Sequence, residues 1–188
     1  MGVICLGGNL KDQLSQTLRL ATSKIARDYF QLSIDGGSPI YRERVYCYEL
    51  YHQMRVLWDE SSDFILNGEV DKSAHPILKG LEADHVKPDF LVHTPGDMNG
   101  NHAIIEVKHQ KAPLNGIRKD LESLALFRER ANYERAIYLV YGYDLDVAEW
   151  VEKVSRASST FEKLPLIELW FHSDALEPAF KVTDIGTP

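Results

Sequence analysis

The sequence is poor in cysteine, in long apolar runs and in positive charge, and each shortage removes a class of protein. Cys5 and Cys47 are the only cysteines in 188 residues, too few for a disulfide framework or a cysteine-based zinc site. A reducing compartment follows, with the cytoplasm as the expected location. No run approaches the roughly 18 apolar residues of a membrane span, and the start, residues 1–10, lacks the basic flank and long apolar core of a secretory leader. A soluble, unsecreted protein with no membrane partner is expected. The histidines, His52, His75, His85, His93, His102, His109 and His172, are scattered without the HExxH spacing of a zinc site. Gly7-Gly8 and Gly36-Gly37 carry no phosphate-binding pattern. The 21 Lys and Arg against 28 Asp and Glu leave a net charge of −7, which speaks against a general basic surface for nucleic acid.

What is present suffices for one core. An apolar fraction of 44% over this length predicts a single domain, 1–188. Residues 11–30 place Leu14, Leu18, Ile25 and Tyr29 near one helical stripe, and Asp35-Gly36-Gly37-Ser38-Pro39 breaks the chain after it. A second helix is predicted over 41–58, with Val45, Tyr48, Leu50, Met54, Leu57 and Trp58 as its apolar residues and Glu49, His52 and Gln53 on another face. Segments 64–70, 88–93 and 103–108 read as strands, and the turn-forming residues 94–101 make the last two an antiparallel hairpin. A helix over 114–130 turns Ile117, Leu121, Leu124 and Phe127 inward. A strand over 135–141, a helix opening at Asp144 and a last strand over 165–171 complete the order α-α-β-β-β-α-β-α-β. That order predicts an α/β protein with one mixed central sheet flanked by helices and an extra N-terminal helix.

Chemistry concentrates in the hairpin. Side chains alternate along a strand, so Glu106 and Lys108 face one side while Ile105 and Val107 face the other. Asp89 sits one hairpin away, and pairing across the turn brings its carboxyl beside that of Glu106. Two such carboxylates repel unless positive charge lies between them. A hard divalent cation, Mg²⁺ or Mn²⁺, takes carboxylate, carbonyl and water oxygens, and the Val107 carbonyl is a further donor. Such a cation makes water a better nucleophile and offsets charge on a phosphoryl oxygen. Lys108 is then placed to orient that water, share its proton or stabilise phosphate charge. Charged residues following the apolar Ile104-Ile105 need such a reason, because an unpartnered buried charge is costly. Glu69 and Asp71 are a further acidic pair, read as a solvated loop before a second site. Tyr138, Tyr141 and Tyr143 read as core and rim before a base-stacking platform.

Pro88-Asp89, sixteen further residues and then Glu106-Val107-Lys108 ending a strand resembles the PD-(D/E)XK nuclease superfamily. The resemblance implies a restriction-endonuclease-like core of helix, three-strand meander, helix and strand over residues 41–142. It implies a Mg²⁺- or Mn²⁺-dependent nuclease in which Asp89 and Glu106 bind metal and Lys108 is catalytic. A glutamate on the helix ahead of the sheet often joins the metal shell in such families, and Glu49 is the matching residue. His52, Gln53 and Arg55 beside it, and Lys111 and Lys119 beyond the strand, are candidate substrate contacts. Charge distribution is compatible: residues 1–58 and 101–142 each hold seven Lys and Arg against five Asp and Glu, with the acid excess elsewhere. The expected activity is phosphodiester hydrolysis in nucleic acid, DNA before RNA, in a defence, mobile-element or repair setting. A nuclease-fold assembly subunit without turnover and a non-nucleolytic phosphodiesterase are the alternatives. No separate reader domain is visible, so a homodimer or a larger complex is expected to supply specificity.

Overall fold

The computed structural model describes residues 10–69 and 87–187, with side chains from residue 13 onward. The first helix, α1 (Leu10–Thr22), stops earlier than its apolar spacing predicts. The Thr22 hydroxyl donates to the carbonyls of Leu18 and Arg19, and the Ser23 hydroxyl to that of Leu20, so side chains occupy the last turn's acceptors. Ala26 is extended and a single turn, α2 (Arg27–Phe30), follows. The break changes the register: Phe30 is fully buried, whereas Tyr29, expected on the inward stripe, is 45% exposed.

The next helix, α3 (Glu43–Leu57), buries Tyr46, Cys47, Leu50 and Met54. This inward stripe differs from the expected one, because Tyr48 is 60% exposed. Strands β1 (Ile65–Gly68), β2 (Phe90–His93) and β3 (Asn101–His109) form an antiparallel meander. Helices α4 (Leu114–Arg130) and α5 (Val147–Ser158) then carry the chain back, so that β4 (Arg135–Tyr141) and β5 (Ile167–His172) run parallel to β3. The Asp146 side chain caps α5 by accepting from the Glu149 amide.

A sixth strand, β6 (Phe180–Ile185), adds antiparallel to β5 and completes the sheet order β1-β2-β3-β4-β5-β6. The sequence pattern does not announce it. None of its residues is fully buried, and Lys181 and Asp184 on it pair with each other, as suits an edge strand that resists pairing with other chains.

The architecture is therefore α/β, with one open, mixed six-stranded sheet flanked by helices. Alternation divides the core. Leu91, Ile104, Tyr138, Val140, Leu169 and Phe171 pack with α4 and α5; Phe90, Val92, Ile105, Ile137, Leu139 and Trp170 pack with α1, α2 and α3. Strand β4 is buried on both faces, which accounts for its nearly continuous apolar sequence. At the amino ends of the parallel strands, the Arg135 guanidinium meets both oxygens of Glu168, at 2.8 and 2.9 Å, and also the Ser15 hydroxyl of α1. The carboxyl ends, where open α/β sheets present their ligand sites, are left to a polar cluster. No helix among the described residues is long and apolar enough to cross a membrane.

Candidate active site

The β2–β3 ladder ends with Phe90 opposite Ile105, so the next residues outward, Asp89 and Glu106, lie across from each other on one face. The Asp89 carboxylate, in place of a backbone carbonyl, accepts the Val107 N–H at 2.7 Å. The N–H and C=O of one strand residue point to the same side, so the Val107 carbonyl is also directed toward the Asp89 side and away from β4.

Glu106 is 7% exposed, and its Oε1 accepts a hydrogen bond of 2.5 Å from the Ser123 hydroxyl of α4. Burial pushes the Asp89 carboxyl up to about 6, although the Val107 amide and the Lys108 charge pull it down. Burial, and then the nearby charges of Asp89 and Asp120, push the Glu106 carboxyl well above the usual range. Raised in this way, the pair favours keeping a proton when no cation is present. That proton does what a cation would do: it removes the repulsion between adjacent carboxylates.

Lys108 completes the cluster. Its Nζ is 2.8 Å from Glu43 Oε2, in the first turn of α3, and 3.1 Å from Asp120 Oδ2 on α4. One ammonium thus ties helices from both faces to the end of β3, which the long lysine stem makes possible. Burial would lower the lysine pKa, but Asp120 and Glu43 outweigh it and hold the ammonium above the ordinary lysine range. Burial pushes Asp120 up to about 7, against the pull of Lys108 and of the Tyr138 hydroxyl, which donates to it at 3.1 Å.

His109 follows on the strand. Its Nδ1 accepts the Lys111 amide at 3.1 Å, which leaves Nε2 to carry the proton, and Nε2 lies 3.5 Å from Glu43 Oε1. Burial lowers the His109 pKa, consistent with a neutral ring, and the ring stacks on Tyr41. Cys47, one turn after Glu43, has its thiol pushed up by burial and then by Asp89, Glu43 and Glu106. Cys47 thus lies within electrostatic reach of the acid pair, while the inward side of α3 packs on Phe90, Ile105 and Val107 on the opposite face of the sheet.

Of the residues expected from sequence, Asp89, Glu106, Val107 and Lys108 come together. Glu49 instead accepts from Gln53 Nε2 at 2.7 Å within α3. It stands roughly 120° around the helix from Glu43, and Glu43 is the α3 carboxylate that reaches Lys108. His52, Arg55, Lys111 and Lys119 are exposed, and the Lys111 ammonium lies over the Tyr41 ring at 5.7 Å. Glu69 is exposed and pairs with Arg44 at 3.3 Å; Asp71, His75 and His85 lie outside the described residues. Tyr138 and Tyr141 are fully buried in the core.

Glu43, Asp120 and Ser123 were not singled out from sequence, and Tyr138 was read as core or rim. Asp120 carried a legible signal, since it falls three residues after Ile117 and four before Leu124, within the inward stripe of α4. Glu43 carried none beyond its place at a helix start.

Among the described residues, no three or more His, Cys, Asp or Glu side chains are arranged to enclose a metal ion. Asp89, Glu106 and the Val107 carbonyl fit the sparser protein shell of Mg²⁺, in which one or two carboxylates are completed by water and substrate oxygens. Comparison with protein-family models, with characterised proteins and with solved structures returns no significant match to this chain. Its chemistry rests on its own residues.

Proposed function

We propose that this chain is a metal-dependent nuclease of the PD-(D/E)XK type, built on a restriction-endonuclease-like core and hydrolysing phosphodiester bonds of nucleic acid. The observation that carries this reading is the Asp89–Glu106 pair, a half-buried carboxyl held by the Val107 amide and a buried one held by Ser123, beside the Lys108 ammonium at the carboxyl ends of parallel strands. The helix, meander, helix and strand of α3, β1–β3, α4 and β4 follow the element order of that core.

Asp89, Glu106 and the Val107 carbonyl would hold Mg²⁺ or Mn²⁺. When bound, such a cation lowers the pKa of a water and offsets negative charge on the phosphoryl group. The protein's part is positional. Ser123 fixes the Glu106 carboxylate, and the Val107 amide fixes that of Asp89. Glu43 and Asp120 keep Lys108 protonated and in place, so that it acts as a hydrogen-bond donor and a charge toward a phosphoryl oxygen or the attacking water. Those ion pairs also support a second reading, in which Lys108 only ties α3 and α4 to the sheet of an assembly subunit without turnover.

Incubating the purified chain with plasmid, linear duplex, single-stranded DNA and RNA, and with an aryl phosphodiester, in Mg²⁺, Mn²⁺ or EDTA separates these functions. Metal-dependent cleavage of a polynucleotide that Asp89→Ala abolishes is the expected result. Hydrolysis of the small diester alone would make the protein a general phosphodiesterase. Mn²⁺ binding with no hydrolysis of any substrate would favour the assembly subunit.

A further inference from the structure

We propose that the outward face of α3 is a track for a nucleic-acid strand with unpaired bases, with Tyr48 as its stacking platform; this rests on the nuclease reading for its substrate. Tyr48 is 60% exposed, more than any other aromatic side chain among the described residues. Four residues before it stands Arg44, whose side chain is 71% exposed; four and seven residues after it stand the exposed His52 and Arg55. At 3.6 residues per turn these four share one stripe, which runs about 16 Å along the helix.

The stripe leads to the acid pair. Arg44 Nε lies 3.3 Å from Glu69 Oε1, and the Glu69 N–H donates to the Asp89 carbonyl at 3.0 Å. Arg44 therefore marks the end of the stripe that abuts Asp89. Tyr51, beside the stripe, stacks on Phe90 of β2, and its hydroxyl donates to the Leu66 carbonyl of β1, which fixes α3 against the strands that carry Asp89.

Cationic groups flanking a bare aromatic ring match a phosphodiester strand. Arginines take phosphates, and the ring takes a base face, which is accessible only when the base is unpaired. A duplex offers phosphates but hides its base faces, so the tyrosine would have no partner. The net charge of −7 on the chain as a whole keeps binding salt-sensitive.

The test is fluorescence anisotropy in EDTA, with labelled single-stranded DNA and RNA of about 20 nucleotides, longer than the usual site of about 4–16, and with the matching DNA duplex. Cleavage in Mn²⁺ is followed separately. Wild type should prefer the single strands. Tyr48→Ala should weaken their binding by about five- to a hundredfold, with Tyr48→Phe retaining it. The Arg44→Ala/Arg55→Ala double variant should flatten the slope of log affinity against log salt by about 1.4. Because these side chains are exposed, melting temperatures should not change. Unchanged affinity in Tyr48→Ala, or a wild type that prefers the duplex, overturns the proposal. A wild type that cleaves duplex but binds no single strand refutes the track and leaves the nuclease standing. Tyr48-dependent strand binding with no cleavage in any metal upholds the track and removes the nuclease.

Discussion

Replacing Lys108 with methionine deletes the ammonium and keeps most of the apolar stem, so the change isolates the charge. The lysine side chain is 15% exposed, that of Asp120 12% and that of Glu43 33%. Breaking a buried ion pair from one side costs about 3–5 kcal/mol. Glu43 can turn toward solvent, so its share is small. Asp120 cannot, and its escape is to take up a proton. Its pKa is pushed up to about 7 even with Lys108 present, and loss of the cation raises it further. Near pH 6 the carboxyl is already protonated, and Lys108→Met should cost only about 1 kcal/mol. Each pH unit above the pKa adds up to about 1.4 kcal/mol, so the cost at pH 8, one unit above it, should be about 2.4 kcal/mol. The sign follows from linkage: the folded variant binds a proton that the unfolded chain, with an ordinary Asp, has released, so stability falls as pH rises. In a chain of this size that is a melting shift of roughly 5–10 °C at pH 8. Urea and thermal melts of both proteins at pH 6 and pH 8 read it directly. A loss below about 0.5 kcal/mol at both pH values, as for a solvated strand-end lysine, would refute the buried clamp.

Cleavage by Lys108→Ala, measured under single-turnover conditions, should fall by about 10² or more, with Mn²⁺ affinity kept or improved and with little rescue by Lys108→Arg; an unchanged rate would remove Lys108 from the mechanism. Calorimetry should show Mn²⁺ binding to wild type and none to Asp89→Ala, and equal binding would sink the metal assignment. In EDTA, raised carboxyls at Asp89, about 6, and Asp120, about 7, should make wild type lose stability as pH rises from about 4 through 7, and Mn²⁺ should offset that loss; melting that improves over this window in EDTA contradicts the protonated cluster. Arg135→Met, at the opposite end of the sheet, leaves Glu168 with only the Trp170 indole N–H and the Lys181 ammonium at 4.0 Å and should cost about 3 kcal/mol in urea melts while Mn²⁺ affinity is unchanged; a coupled loss of metal binding would show that the two ends of the sheet are not independent.

Local pattern carries far in this chain where an element is long and buried on a known face. Residues 114–130 and 135–141 form the helix and strand their periodicity predicts, because Ile117, Leu121, Leu124 and Phe127 of the helix and every residue of the strand are buried. It fails at residues 23–26, where hydroxyl bonds to the helix carbonyls compete with one more turn, and at β6, whose half-exposed residues leave no pattern to read. The same division runs through the site. Alternation alone puts Glu106 and Lys108 on one side of β3, and the turn between β2 and β3 sets Asp89 across from them, since a hairpin is a short-range object whose register follows from its loop. The partners of those groups belong to the tertiary structure. Spacing along α3 pointed to Glu49, which bonds Gln53 one turn on in the same helix, and only the rotation of that helix against the sheet brings Glu43 to Lys108 instead. Asp120 sits between Lys119 and Leu121 as an ordinary helical acid until α4 packs over β3, and then burial and the Lys108 ammonium give it a pKa and a role that no sequence neighbour supplies. The chain order thus determined which residues share a strand and a face. Helix rotation and layer packing decided which charges are desolvated together, because desolvation depends on every element that closes around a group.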